Sequence, residues 1–250
     1  MVQNTIFCAG STSAVKYAAE ILQRNGWTIQ SAPSDETKFV LLDVPSMDPC
    51  GNLRNGGSLQ TLLNAIPTDA VILGGALDNP LLCGRKTIDL LKNETYLTEN
   101  AKITAYCTLP IILDSIPVTF ENTSILIIGW GRIGKSLAEM LHLLKADVTV
   151  ASRNPENEAE IRTMGMEATD TLHITPKIYR VIVNTAPAPI TLQNDSGGEF
   201  SPVKIDLASV KGLEGADVIR ARGLPGIHAP ESSGKLIAEM ILEHMKECSP

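Results

Sequence analysis

Apolar residues fall in short runs separated by amphipathic stretches, and the alternation repeats along most of the chain. Thr5–Gly10 is a compact apolar run that ends in glycine and reads as a strand. Ser11–Arg24 then places Val15, Ala18, Ala19 and Leu22 on one helical face, and Asn25-Gly26 stops it. Trp27–Gln30, Phe39–Val44 and Ala70–Leu73 are strand candidates, with a short helix at Ser58–Ala65 and a helix expected at Leu82–Leu91. Pro45–Gly57 is rich in Pro, Gly and Asn and reads as a loop able to overhang a cleft. A second series opens near Glu121. Ser124–Gly129, Asp147–Ala151, Arg180–Asn184 and Val203–Leu207 are strands with room between them for crossovers. Thr98–Leu113 reads as a helix linking the halves. The last helix, Ser232–Lys246, carries an apolar stripe of Leu236, Ile237, Met240, Ile241 and Met245 that needs a partner and is expected to pack back across the junction.

Strands alternating with helices argue for parallel sheets covered on their faces. The expected fold is therefore two-domain α/β. A doubly wound Rossmann sheet forms the C-terminal domain, beside a smaller flavodoxin-like α/β domain at the N-terminus. The divisions expected are 1–97, a linking helix over 98–120, a dinucleotide domain over 121–230 and a returning helix over 231–250.

Composition narrows the partners. The 250 residues carry 21 Lys+Arg against 28 Asp+Glu, a net charge of −7, with no basic run. A nucleic-acid track or an anionic membrane surface is therefore not expected. Apolar runs are far below the ~20 residues needed to span a bilayer. The start of the chain does not read as a signal peptide. Five cysteines, an odd number with no C-x-x-C spacing, disfavour a disulfide framework and a metal site and point to the cytoplasm.

The chemistry concentrates at Gly129-Trp130-Gly131-Arg132-Ile133-Gly134, a G-x-G-x-x-G run. The pattern alone is weak, but here it follows a strand and opens a helix with Ile133, Leu137, Met140, Leu141 and Leu144 on one face. The first glycine permits the turn, the second lets backbone approach a pyrophosphate, and the third allows close helix–strand packing. Free N–H groups at the helix start favour the anion. An NAD site needs an acidic residue at the end of the next strand. Ala151-Ser152-Arg153-Asn154 stands there instead, and Asp147 lies at the wrong end of that strand. A guanidinium suits a 2′-phosphate, so NADP is the expected cofactor, with Ser152, Arg153 and Asn154 at its adenosine end. Thr185, Ala186 and Pro187 follow the strand Arg180–Asn184, beyond the carboxyl end where ligands of such sheets bind.

These segments, together with ILIIGWGRIGKSLAEMLHLLKADVTVASRNP, VIVNTAPAP, KIDLAS and ARGLPGIHAPESSGKLIAEMI, resemble the A subunit family of dipicolinate synthase. That family is similar in architecture to the D-2-hydroxyacid dehydrogenases. The likeness covers Ser124–Ile241, and Gly223–Pro230 with Ser233-Gly234 behind it is its most specific part. The resemblance implies oxidation of a dihydrodipicolinate-type dicarboxylate during spore formation. It also implies a homodimer, and for partner a flavoprotein-like B subunit. The N-terminal half is shorter than in typical members. Asn100 and Thr104 match the linking-helix pattern of the family, but Tyr106 and Cys107 replace its Glu and Gly, and Val210 replaces an Arg after the Asp-Leu-Ala-Ser strand. The cofactor half looks intact and the substrate half altered.

Of the four histidines, His142, His173, His228 and His244, only His228 lies in that family-specific loop. It is the candidate acid–base group, facing the cleft if the family architecture holds. Lys211, Arg222 and Arg132 are candidate cations near a dicarboxylate or the cofactor, and Ser209 and Glu231 are further polar candidates. No Ser/His/Asp triad, H-E-x-x-H or P-loop is present. Two alternatives stand beside the dipicolinate reading. One is a D-2-hydroxyacid-type reductase on the same scaffold. The other is a non-catalytic NADP-binding module.

Overall fold

A computed structural model describes residues 4–48, 50–172, 174–192, 201–210 and 212–247. The chain forms two compact units. One is built from residues 1–100 and 225–250, the other from 101–224.

The first unit holds a parallel sheet of five strands: β1 (Thr5–Cys8), β2 (Thr28–Gln30), β3 (Phe39–Leu41), β4 (Val71–Gly74) and β5 (Thr87–Asp89). Their spatial order is β2-β1-β3-β4-β5, the flavodoxin-like order. Helix α1 (Ser13–Arg24) starts at an N-cap Thr12 and ends before Gly26, whose φ of 84° turns the chain back toward β2. One face of the sheet packs Val40, Leu42 and Ile72 against Leu59, Leu62 and Leu63 of α2 (Leu59–Asn64).

The segment expected as a helix at Leu82–Leu91 is not one. Pro80 opens a single 3-10 turn over Pro80–Leu82. Gly84, at φ 79°, ends any helical continuation, and Thr87–Asp89 then pairs with β4 as the edge strand, Ile72 opposite Thr87. The physical reason lies at both ends of the segment. A left-handed glycine breaks the helix, and Asp89 accepts hydrogen bonds from the N–H groups of Ala76, Leu77 and Leu91, fixing the extended exit.

Helix α3 spans Glu94–Ser115, longer than the Thr98–Leu113 read from the pattern, and the division between the units falls within it. The second unit is a parallel sheet of six strands: β6 (Ser124–Ile128), β7 (Asp147–Ala151), β8 (Glu167–Thr169), β9 (Val181–Asn184), β10 (Val203–Asp206) and β11 (Val218–Arg220). The order β11-β10-β9-β6-β7-β8 is the doubly wound Rossmann arrangement. Its central strands are largely apolar because both faces are covered. Ile125, Leu126, Ile127 and Ile128 have no exposure at all. Helix α4 (Arg132–Leu143) buries Leu137, Ala138 and Leu141, and the next helix is α5 (Pro155–Thr163).

Two further helices follow, α6 (Leu224–His228) and α7 (Pro230–Glu247). The apolar stripe of α7 finds its partner in α1 of the first unit. Gly234 makes the crossing possible. A Cβ there would stand 2.5 Å from both the Ala14 carbonyl oxygen and the Tyr17 Cβ, so only glycine lets the helices approach.

Candidate dinucleotide site

In a doubly wound sheet, ligands bind outside the carboxyl ends of the strands where the strand order reverses. In the second unit that place lies between β6 and β9, which pair in register from Ile125–Val181 to Ile128–Asn184. The glycine run leaves β6 there, and the Asn184-Thr185 turn leaves β9.

Each glycine of the run has its own reason. Gly129 sits at φ 104°, and a Cβ on it would lie 2.8 Å from the Thr185 hydroxyl and 3.1 Å from the Ala186 nitrogen. Gly134 lies in the first turn of α4 with the Gly129 carbonyl against its Cα, so a side chain there would drive the helix off the strand. Gly131 differs, because a Cβ on it would meet nothing within 4 Å. It is the N-cap of α4 and supplies no side-chain hydrogen bond to the helix. The amide groups at the head of α4 are thus presented at an open backbone surface, the arrangement that receives a pyrophosphate.

A cavity of about 470 Å³ lies over this surface. Three expected segments line it: 129–131, 152–154 and 185–187. Arg132, Ile133 and Gly134 do not line it, since they belong to the first turn of α4 behind Gly131. Arg153 is exposed on the cavity wall, and among the described residues no carboxylate lines the cavity. Ser152 is buried, and its hydroxyl accepts from Asn157 Nδ2 at 2.8 Å and from the Asn154 nitrogen at 3.3 Å. Asn154 caps α5, accepting from the Glu156 nitrogen at 3.1 Å. Thr185 donates its hydroxyl to the Ile128 carbonyl at 3.0 Å, tying the β9 turn to the start of the glycine run.

The far wall is not legible as a motif. Thr171, Leu172 and Ile190 line it, and Leu172 is 80% exposed although large and apolar. Behind the β9 turn stands an unforeseen polar network. Asp206, fully buried at the end of β10, accepts from Asn184 Nδ2 at 2.7 Å, from the Gly212 nitrogen at 3.2 Å and from Arg220. Burial pushes the Asp206 pKa up, but the hydrogen bonds from Asn184, Gly212 and Arg220 outweigh it and hold the carboxyl below its ordinary value of 3.8. Asn184 in turn accepts from the Ala186 nitrogen at 3.1 Å, so the network sets the backbone of the cavity wall.

The remaining candidates are dispersed. His228 is exposed at the end of α6, and Arg222 is exposed just before that helix. His142 is exposed on α4, and His244 is half-buried on α7. His173 and Lys211 lie outside the described residues. Tyr106 and Val210 are exposed and Cys107 is buried. Burial pushes the Cys8 thiol to about 11 and raises that of Cys107, so neither is a ready nucleophile. Among the described residues no cluster of His, Cys, Asp or Glu is arranged to hold a metal. Among them, too, no helix is long and apolar enough to cross a membrane.

Known proteins are similar to this chain in sequence and in fold. Residues 114–193 match the NAD binding domain of D-isomer specific 2-hydroxyacid dehydrogenases. Over 205 residues the chain is 27% identical to the A subunit of dipicolinate synthase from Bacillus subtilis (strain 168), covering 75% of this chain and 69% of that protein. This chain is similar to the dipicolinate synthase A subunit. The crystal structure of that protein from Bacillus halodurans superposes with a TM-score of 0.82 at 20% identity, over 99% of this chain and 98% of the other. The Bacillus subtilis counterpart superposes at 0.79 with 21% identity, over 99% and 97%. The resemblance read from Ser124–Ile241 therefore extends as a fold to the rest of the chain. The second unit carries a nicotinamide-dinucleotide-binding domain of the dehydrogenase type.

Proposed function

We propose that the chain is an NADP-dependent oxidoreductase of the dipicolinate synthase A type, oxidising a dihydrodipicolinate-type dicarboxylate. The observation that carries the cofactor half is the uncapped head of α4 at Gly131, opening on a cavity with Arg153 on its wall and, among the described residues, no carboxylate around it. The residues present fit a dinucleotide. The α4 amide groups would hold the pyrophosphate, and Arg153 with Asn154 would meet the 2′-phosphate. Thr185, Ala186 and Pro187 would flank the path toward the nicotinamide. When bound, the nicotinamide supplies a hydride acceptor.

The substrate half rests on the similarity to the A subunit of dipicolinate synthase. His228 is the group we assign to proton transfer, since it is an exposed imidazole at the end of α6, within the family-specific segment Gly223–Pro230. A homodimer and a flavoprotein-like B subunit belong to the same reading. Binding is tested by titrating NADPH and NADH. Affinity for NADPH at least about tenfold tighter supports the assignment, and equal affinities overturn the NADP preference. Turnover is tested with dihydrodipicolinate and NADP, with and without a B subunit. Turnover of simple 2-oxoacids with NADPH in its place favours the 2-hydroxyacid reductase, for which the family match over 114–193 speaks. Cofactor binding without transfer to any acceptor favours the non-catalytic module.

A further inference from the structure

Trp130 stands between the first two glycines of the run, where a large side chain is best placed to fall into the pyrophosphate seat. It does not lie loose. The residue is only 8% exposed, and its indole Nε1 donates to Glu160 Oε2 at 2.8 Å. Glu160 belongs to α5, and its carboxylate also accepts from Lys135 Nζ at 2.8 and 3.0 Å. The Lys135 ammonium stands 5.3 Å from the centre of the Trp130 ring. Lys135 closes the circuit through its backbone, whose N–H donates to the Gly131 carbonyl at 2.8 Å. The loop is thus held on one side by Thr185 of the β9 turn and on the other by a carboxylate from α5.

We infer that Glu160 is a positioning residue for the dinucleotide: through the Trp130 indole and Lys135 it locks the glycine run so that the Gly131 backbone stays open to the pyrophosphate. The inference rests on the dinucleotide reading and adds to it a residue that never touches the cofactor cavity. The physical argument is pre-organisation. A loop ordered before binding loses less conformational entropy on binding, and the difference appears as affinity. The bonds to the carboxylate are charge-assisted, and the lysine offsets the negative charge that Glu160 would otherwise bring near an anion site. Arg162, on the same helix, pairs with Glu167, while Glu160 pairs with Lys135.

The test uses the full chain in a W27F background, so that Trp130 is the only emitting indole of the two in the sequence. In Glu160→Ala, indole emission shifts to the red and acrylamide quenching rises, while the dissociation constant for NADPH rises roughly tenfold, the lower end expected for a charge-assisted bond. In Glu160→Gln the amide oxygen still accepts from the indole, and affinity stays within about threefold of the parent. Trp130→Phe weakens binding too, and the loss in the double variant is smaller than the product of the two single losses, because both substitutions remove the same indole–carboxylate bond. The inference is overturned if Glu160→Ala binds NADPH as tightly as the parent, if its emission is unmoved, or if Gln behaves as Ala. A parent chain that binds neither dinucleotide defeats the proposed function and this inference with it. Tight binding by parent and Glu160→Ala alike defeats this inference alone.

Discussion

The two units solve the same local problem in opposite ways. Each has a strand that ends in a glycine-containing turn and feeds a helix at the point where the strand order reverses. In the second unit the head of α4 is left open, with Gly131 as an N-cap that contributes no side chain. In the first unit the head of α1 is filled by the protein itself. Asp43, which follows β3 and is 2% exposed, accepts from the Ser11 and Thr12 nitrogens at 3.0 Å each and from the Thr12 hydroxyl at 2.7 Å. Gly10 is needed there because a Cβ would strike Asp43 and Val15. A helix start attracts an anion in both cases. Where the chain supplies the anion, the result is a fixed structural joint. Where it withholds one, the helix start stays open, as the proposed site requires.

The comparison breaks most sharply if the open helix is closed. Gly131→Asp is sterically free, since its φ of −85° and ψ of −174° suit any residue and a Cβ meets nothing within 4 Å. The new carboxylate would cap α4 and raise stability by a few tenths of a kcal/mol. It would also oppose a pyrophosphate at a cost of several kcal/mol, lowering dinucleotide affinity at least about a hundredfold. Thermal melts and NADPH titration of the same protein should therefore move in opposite senses. The reverse change, Asp43→Ala, orphans the donors at the head of α1 and should cost about 2–3 kcal/mol of stability by denaturant titration. It should leave the affinity of the second unit for NADPH unchanged. A matching loss of affinity would refute the separation drawn between the two helix starts.

Arg153→Ala sharpens the picture of the open site. NADPH affinity should fall roughly ten- to a hundredfold with little change for NADH, as for the loss of a charge-assisted phosphate contact. The smallest effect concerns pH. Asp206 has its pKa depressed in the folded state, so the stability it contributes is present above its ordinary 3.8 and is lost as pH falls through the lower folded value. Asp206→Asn should flatten the acid limb of the stability curve below about pH 4. An acid limb unchanged by that substitution would show that the carboxylate carries none of it.

Legibility follows the range of the interaction. Strands β6, β7, β9 and β10 can be read within a residue or two, because β6 and β9 carry near-continuous apolar runs and β7 and β10 alternate apolar with polar positions. The glycine run is legible as a site because its demands are local: a turn, an open backbone and a tight first helical turn. The edge strand β5 reads wrongly as helix, since Leu82, Leu90 and Leu91 suggest a helical face and the deciding factor is the positive φ of Gly84. Strands β8 and β11, three residues each, carry too little pattern to stand out. Leu172 gives no signal as a cavity wall, because an apolar residue in a turn looks the same whether it faces a site or solvent.

The sequence by itself determined the alternation of strand and helix, the glycine run at the head of α4 and the absence of an acidic residue among Ser152, Arg153 and Asn154 directly after β7. All of these are set by neighbours a few positions apart. Only the tertiary structure decided which helix start is plugged and which is free, since Asp43 lies 31 residues from Thr12. It alone placed Glu160 on an indole 30 residues away, and it joined Asp206 to Asn184 and Arg220. Such pairings depend on the order in which parallel strands are laid side by side, and a carboxylate carries no mark in the sequence of the donor it will meet.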